Sequence, residues 1–333
     1  MSLYLHGIGH FHPENEITNR FLEELEIGTS EGWILERVGI QCRRTVLPLD
    51  YIRETGNRDP VEGIRVAEYS HADTGRRAAE MAVARAGIDM QDIGMVITGS
   101  SRPDMMSPAD ACTVAEALEL EVPSFDINSA CTSLFTTLNL LGGMREDALP
   151  EYVLAVTPES LTTTVDYTDR SASVLWGDGT TATVLSTKVP SRIEVVRGAL
   201  ESSPAGKDKV IVPVGRHFEQ EGRTVQMFAI KKTIRLLRRM QRTYGRAPGR
   251  RLHFIGHQAN LRMLETVCGQ CGIEPERHHH NVVDLGNTGA AGAPSVVSQR
   301  WDAWEDGDDI AVVGVGSGLT WSSFLLRFGE VRS

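Results

Sequence analysis

Short apolar runs of strand character alternate with longer stretches of helical periodicity along most of this chain. That alternation restricts the fold more than any other feature. Strand candidates fall at residues 94–98 (GMVIT), 124–127, 152–156, 181–185, 252–255 and 310–315. Several end in Gly, Ser, Pro or Asn, residues that close strands. Helix candidates occupy residues 74–86, 109–120, 131–144, 230–244, 262–271 and 290–304. Strands interleaved with helices predict a layered α/β architecture. A polar stretch at 201–209 divides two alternating halves of similar size. A second, at 50–65 with Gly56, Pro60 and Gly63, reads as a loop or lid.

The 333 residues are 41% hydrophobic and 23% charged, which excludes a disordered chain. No apolar run approaches the roughly 20 residues that span a bilayer. The opening MSLYLHGIGHFHPENEI has no basic region followed by an apolar one, so the expected location is the cytoplasm, with no membrane partner. Five cysteines, an odd number in a long chain, fit reduced thiols better than a disulfide scaffold. A net charge of −10 argues against general nucleic-acid binding. The average hides an asymmetry. Between Gly222 and Leu264 there are eleven Lys and Arg and no acidic residue, which points to a local anionic partner.

In FDINSACTSL a strand-like run meets a small-residue turn, then Cys131, then an apolar helix. A thiol facing a helix's free N–H groups is expected to have a lowered pKa and to act as a nucleophile. A buried structural cysteine is the plainer reading. In FIGHQANLR, His257 ends a strand before a helix start, and in LGNTGAAGAP, Asn287 sits in a glycine-rich turn. Singly, these read as a core histidine and a capping asparagine. Together, a sulfur nucleophile with imidazole and amide donors forms a site for covalent catalysis with oxyanion stabilisation.

These segments resemble the β-ketoacyl-ACP synthase III group of condensing enzymes. Five stretches carry the resemblance in family order. They are TSEGWILERVGIQCRR at 29–44, DYTDRSASVLWGDGTTATVL at 166–185, HQANLRML at 257–264, GNTGAAGAP at 286–294 and VGVGSGLTWSSFLLRF at 313–328. The resemblance implies a thiolase-like layered αβαβα fold of two pseudo-repeated halves. Residues 1–186 would carry Cys131, and residues 187–333 would carry His257 and Asn287.

The resemblance also implies roles. Cys131 takes an acyl group from acyl-CoA, with backbone N–H groups of Cys131 and Ser317 as the oxyanion hole; Ser317 stands where the family commonly has Gly. Malonyl-ACP then enters, and its thioester is held by His257 and Asn287 while decarboxylation generates the attacking enolate. No cofactor is implied, coenzyme A being part of a substrate. Trp33 is the platform for the CoA adenine, with Arg170 on the other face. Arg37 and Arg262 serve as phosphate contacts, and Thr29 and Asn260 meet the nucleotide or pantetheine. The basic stretch places Lys231, Arg235, Arg238 and Arg242 on one helix face, with Lys232 and Arg239 beside it, suited to an acidic acyl carrier protein. A homodimer is implied as well.

Two features depart from the family. Before Pro108, where a bulky aromatic commonly limits the acyl chain, this sequence has Met106 and Ser107, so a primer other than simple acetyl is expected. Cys268 and Cys271 with His278, His279 and His280 invite a zinc reading, but a structural site needs four converging ligands, so no metal is expected. The competing functions are acyl transfer to an acceptor other than malonyl and a non-catalytic subunit of a heterodimer.

Overall fold

A computed structural model of the chain describes residues 2–330. Nine strands form one sheet: β1 (Leu3–Phe11), β2 (Ile93–Thr98), β3 (Ser124–Asp126), β4 (Tyr152–Glu159), β5 (Gly179–Ser186), β6 (Ile193–Ser202), β7 (Arg251–Gly256), β8 (Asp308–Gly316) and β9 (Thr320–Phe328). Their spatial order is β7-β8-β9-β6-β1-β5-β4-β2-β3. The first five strands in sequence run third-second-fourth-fifth-first from the edge inward, with the fifth, β5, antiparallel to both neighbours. The last four repeat that order, with β9 antiparallel to β8 and β6. Their missing third strand is reduced to one parallel bridge, Phe254 to His278. The halves join where Leu3, Tyr4 and Leu5 pair with Val195, Glu194 and Ile193.

The main helices are α1 (Glu31–Arg37), α2 (His71–Ala86), α3 (Asp110–Ala117), α4 (Ser133–Leu141), α5 (Gly222–Tyr244), α6 (Leu261–Cys271) and α7 (Gly292–Gln299). Helices α2 and α3 cover the outer face of the first half, α5 lies on β7, β8 and β9 of the second half with α6 against it, and α4 and α7 lie between the halves. The central layer explains the burial of α7, where Gly292 to Ser298 are all buried. It also explains Phe135 of α4. The ring lies where a Cβ on Gly314 of β8 would meet it at 2.6 Å, so glycine there lets the helix behind Cys131 approach the sheet.

Local chemistry sets the helix ends. Ser70 and Asp73 form a reciprocal capping box that starts α2, and Gly87 closes it in the left-handed conformation. That cap begins the helix three residues before the predicted start. Helix α5 begins at Gly222, eight residues before its predicted start, because Val225 N already bonds back to Glu221 O. The stretch 131–144 is not one helix. Cys131 lies in a 3-10 turn, Ala130–Thr132, and α4 follows. The stretch 290–304 likewise divides into a 3-10 turn, α7 and a second 3-10 turn.

Residues 50–65 are not a free loop or lid. They fold as two short helices, Leu49–Thr55 and Pro60–Val66. Between them the fully buried Asn57 donates to the carbonyls of Thr163 (2.9 Å) and Val165 (2.8 Å), which pins the segment to the body. Among the described residues, no helix is long and apolar enough to cross a membrane.

Candidate active site

Two strand ends and a turn bring the predicted trio together. Cys131 follows β3, His257 follows β7, and Asn287 follows the turn at Gly286 that closes a short helix. All three line one cavity of about 320 Å³. Trp33, Arg37, Arg170, Asn260 and Ser317 line it too. A second cavity of about 490 Å³ also reaches Cys131 and Ser317 and is bordered by Leu161, Val212 and Phe218. The sulfur therefore stands at a junction of two spaces.

The turn that presents Cys131 is strained. Ala130, a non-glycine residue, has φ 50°. The thiol is not lowered in pKa, contrary to the helix-terminus expectation. Burial and the nearby Glu159 carboxylate push it up to about 12, against a hydrogen bond with Ser101. The thiol sits two residues ahead of α4, in its own 3-10 turn.

His257 is buried, and burial alone lowers its pKa to about 4, so the imidazole is neutral near pH 7. Its neighbour Gln258 fixes the loop. Gln258 Nε2 donates to Gly256 O at 2.7 Å, and its Oε1 accepts from the amides of Asn281 (3.0 Å) and Val282 (3.2 Å). One buried amide thus ties the histidine turn to the segment leading to Asn287. Gly286 has φ 68°, and a Cβ there would meet Arg43 Cγ at 2.7 Å, so the asparagine turn requires glycine. Asn287 N donates to Leu175 O at 2.8 Å, and Asn287 Oδ1 accepts from Gly289 N at 3.1 Å. The carboxamide oxygen is occupied, which orients Nδ2 as the available donor.

Ser317 lies outside the left-handed backbone region, so a side chain costs nothing there. Its hydroxyl donates to Val210 O at 2.6 Å, and a Cβ on adjacent Gly316 would sit 3.1 Å from Cys131 N, so this turn packs closely against the cysteine.

At the outer end of the cavity the Arg170 guanidinium lies 5.0 Å from the Trp33 ring centroid, and Arg37 lies 6.0 Å from it. Arg170 also donates to Gly28 O. Asn260 caps α6 through Met263 N at 2.8 Å. Two predicted contacts do not line this cavity. Arg262 is turned onto the end of α1, donating to Leu35 O (2.8 Å) and Glu36 O (3.3 Å), and Thr29 keeps its hydroxyl buried without a partner among the described residues.

On α5, Lys231, Arg235, Arg238 and Arg242 do share one groove, floored by Ile230 and Ile234 and closed by Thr266 and Gln270 of α6. Lys232 is not on it. Its ammonium lies 3.5 Å from the Trp321 ring centroid, on the sheet side, and Arg239 is exposed outside the groove. Met106 and Ser107 are exposed and line neither cavity of this chain. The cysteine–histidine cluster does not converge. His279 Nε2 is bonded to His253 Nδ1 at 2.8 Å, Cys268 is buried in α6, and no group of three or more ligands able to hold a metal occurs among the described residues.

Two polar residues beside the sulfur were missed in the sequence, Ser101 and Glu159. Glu159 is 2% exposed at the end of β4. The available signal was a carboxylate three residues beyond the apolar run YVLAV.

Known proteins resemble this chain along nearly its whole length. The family model for 3-oxoacyl-[acyl-carrier-protein] synthase III matches residues 125–204, and the model for its C-terminal part matches 251–328. The β-ketoacyl-[acyl-carrier-protein] synthase III of Campylobacter fetus is 31% identical over 345 residues, covering 97% of each chain. That of Sulfurovum is 29% identical, covering 97% of this chain and 94% of its own. Among solved structures, 3-oxoacyl-[acyl-carrier-protein] synthase III from Aquifex aeolicus superposes with a TM-score of 0.85 at 26% identity, covering 98% of this chain and all of that one. The Pseudomonas aeruginosa enzyme gives 0.84 at 27% identity over the whole of both chains. The fold is thiolase-like, and the chain belongs to the β-ketoacyl-acyl-carrier-protein synthase III family of condensing enzymes.

Proposed function

We propose that Cys131 accepts an acyl group from acyl-CoA and that the acyl-enzyme is condensed with malonyl-ACP to give a 3-oxoacyl-ACP. The carrying observation is the convergence of Cys131, His257 and Asn287 on one cavity that extends to Trp33 and Arg170. Cys131 Sγ attacks the thioester carbon. The oxyanion lies against backbone N–H groups of Cys131 and Ser317, and the CoA thiolate leaves. The second thioester oxygen lies between neutral His257 and the Asn287 Nδ2, two donors that stabilise the enolate formed as carbon dioxide departs. The enolate carbon then attacks the acyl-cysteine, releasing the sulfur. These residues need no cofactor for this chemistry. Trp33, Arg37, Arg170 and Asn260 form the nucleotide side, with Arg262 acting by holding α1 and Thr29 lying just ahead of that helix.

The same reading includes two partners. The groove of Lys231, Arg235, Arg238 and Arg242 suits an acidic acyl carrier protein. A homodimer is supported by the free edge of β3, where Phe125, Met105 and Met106 are 41%, 45% and 80% exposed. Met106 and Ser107 would then face the partner's acyl space, which is how they would admit larger primers. Five free cysteines fit a cytoplasmic setting. The division near residue 186 falls between β5 and β6.

Intact mass spectrometry after incubation with a panel of acyl-CoAs tests the loading, and carbon dioxide release from malonyl-ACP tests the condensation. Acylation with no carbon dioxide would favour transfer to another acceptor. Neither event would make the chain a non-catalytic subunit. Cys131→Ala should abolish both.

A further inference from the structure

Among the described residues, no titratable side chain is bonded to the Cys131 thiol, yet acylation must remove its proton. Ser101 Oγ lies 3.8 Å from Cys131 Sγ. The same hydroxyl donates to Glu159 Oε1 at 2.8 Å. A serine hydroxyl has one proton, and here it is spent on the carboxylate. Toward the sulfur, Ser101 Oγ can therefore only accept, which orders the contact as S–H to oxygen and O–H to carboxylate.

Glu159 is built into the site from several sides. Its carboxylate accepts from Ser101 N (3.0 and 3.1 Å), from Ala290 N (2.9 Å) in the turn after Asn287, and at 3.5 Å from Ser100 Oγ. A buried carboxylate without a cation bonded to it is costly for folding. Burial raises its pKa to about 7, with its hydrogen bonds acting in the opposite sense. The acid is thus poised between its two forms at neutral pH, where a general base works best.

We propose that Ser101 and Glu159 form a proton relay that takes the Cys131 thiol proton during acylation. This rests on Cys131 being the acylated nucleophile. As the Sγ–acyl bond forms, the S–H proton passes to Ser101 Oγ, and the Ser101 hydroxyl proton passes to the Glu159 carboxylate. The thioester C–S bond of the donor breaks as the tetrahedral adduct collapses. The departing CoA thiolate takes a proton back along the same atoms, regenerating the carboxylate. One proton moves from Cys131 to CoA, and no oxidant or further reactant enters. Transfer concerted with attack avoids a free thiolate, which the surroundings strongly disfavour.

Other charged groups bear on the pH response. His71 of α2 approaches Glu159 electrostatically. Burial opposes the charged form of His71, but Asp104 and Asp110 outweigh it and hold its pKa above the ordinary value, with Asp110 Oδ2 at 2.7 Å. Arg102 pairs with Asp104 at 3.3 Å, and Asp178 also feels His71.

The test measures single-turnover acylation of the full-length protein by an acyl-CoA, from pH 5.5 to 9, with modification at Cys131 read by intact mass. The wild-type rate should rise through an inflection near 7 as Glu159 ionises. Glu159→Gln keeps the shape and loses the base. It should slow acylation roughly 100-fold and abolish that inflection. Ser101→Ala should do the same with the carboxylate intact, and Ser101→Thr, which restores a hydroxyl, should recover most of the rate. If Glu159→Gln and Ser101→Ala are slow but keep the wild-type inflection, the pair is structural and the relay is wrong. If both acylate at the wild-type rate, the relay is also wrong. A wild-type enzyme that never acylates at Cys131 would overturn the nucleophile assignment instead.

Discussion

The amide of Ala130 donates to Asn128 Oδ1 at 2.8 Å, and this bond helps hold Ala130 at φ 50° immediately before Cys131. The Ser133 hydroxyl donates to Ala130 O at 2.6 Å from the other side. A left-handed alanine costs about 1–2 kcal/mol, so the turn is kept against its own preference. Glycine would adopt the conformation freely but would also widen the unfolded ensemble. Ala130→Gly should therefore leave thermal stability unchanged or raise it by a few degrees. It should also slow acylation of Cys131 several-fold, because the sulfur's position loses definition. Calorimetry and single-turnover acylation check the two halves. A variant that is both less stable and fully active would contradict the account.

The Arg170–Trp33 contact bears on nucleotide binding. With the guanidinium 5.0 Å from the ring centroid, a purine cannot enter between them until Arg170 lifts and releases Gly28 O. Trp33→Ala should raise KM for acyl-CoA by roughly tenfold, about 1.4 kcal/mol, with kcat little changed. Arg170→Ala removes both the closing contact and one stacking face, so its KM effect should be smaller than that of Trp33→Ala. Steady-state kinetics with one acyl-CoA at saturating malonyl-ACP decide it, and equal effects of the two variants would count against a stacking platform.

Much of this site was legible because its residues stand where secondary structure changes. Cys131, His257 and Asn287 each follow an apolar run and precede small or helix-starting residues, so a junction could be read at each. Glu159 was hidden for the opposite reason. Strand β4 is buried along its whole length, but its apolar run YVLAV ends at Val156, three residues before the carboxylate. Strand β1 escaped notice because LYLHGIGHF carries Gly7 and Gly9. Those glycines answer to packing: a Cβ at either would lie 2.0 Å from a carbonyl of α2, at Ala82 and Ala78 respectively. The turns of Arg262 toward α1 and of Lys232 toward Trp321 depend on neighbours distant in sequence, which no local pattern encodes.

The basic groove on α5 makes a separable prediction. Lys231 and Arg235 are exposed and line it, while neither lines the cavity of Cys131. Lys231→Glu with Arg235→Glu should raise KM for malonyl-ACP by tenfold or more at low salt and leave acylation by acyl-CoA unaltered. Raising ionic strength toward 0.5 M should shrink the difference, since exposed charges are screened beyond a few ångströms there. Arg235 also contacts Glu201 at 3.3 Å, an exposed pair whose loss should barely move thermal stability. An equal effect on both half-reactions would place the defect elsewhere.

Stability should fall in acid, and the sign follows from the buried histidines. Burial lowers His10, His12, His257 and His278 from 6.5 to about 4, and His279 to about 3. Between pH 6.5 and 4 the unfolded chain binds protons at these positions that the folded chain refuses, so their contribution is full above 6.5 and is lost as pH drops toward 4. Glu159, raised to about 7, and Asp178, raised to about 6, act oppositely: the folded chain binds their protons first. His71, shifted upward, joins them. Burial also lowers His6, His253 and His280, so eight groups oppose three, and the melting temperature should decline from pH 7 to pH 5. His278→Phe offers a control. It keeps the ring stacked on Phe254, 5.8 Å away at 20°, and removes a nitrogen, Nε2, that has no partner among the described residues, so the acid decline should become shallower. A melting temperature that holds or rises between pH 7 and pH 5 would mean that the carboxyl groups dominate the balance.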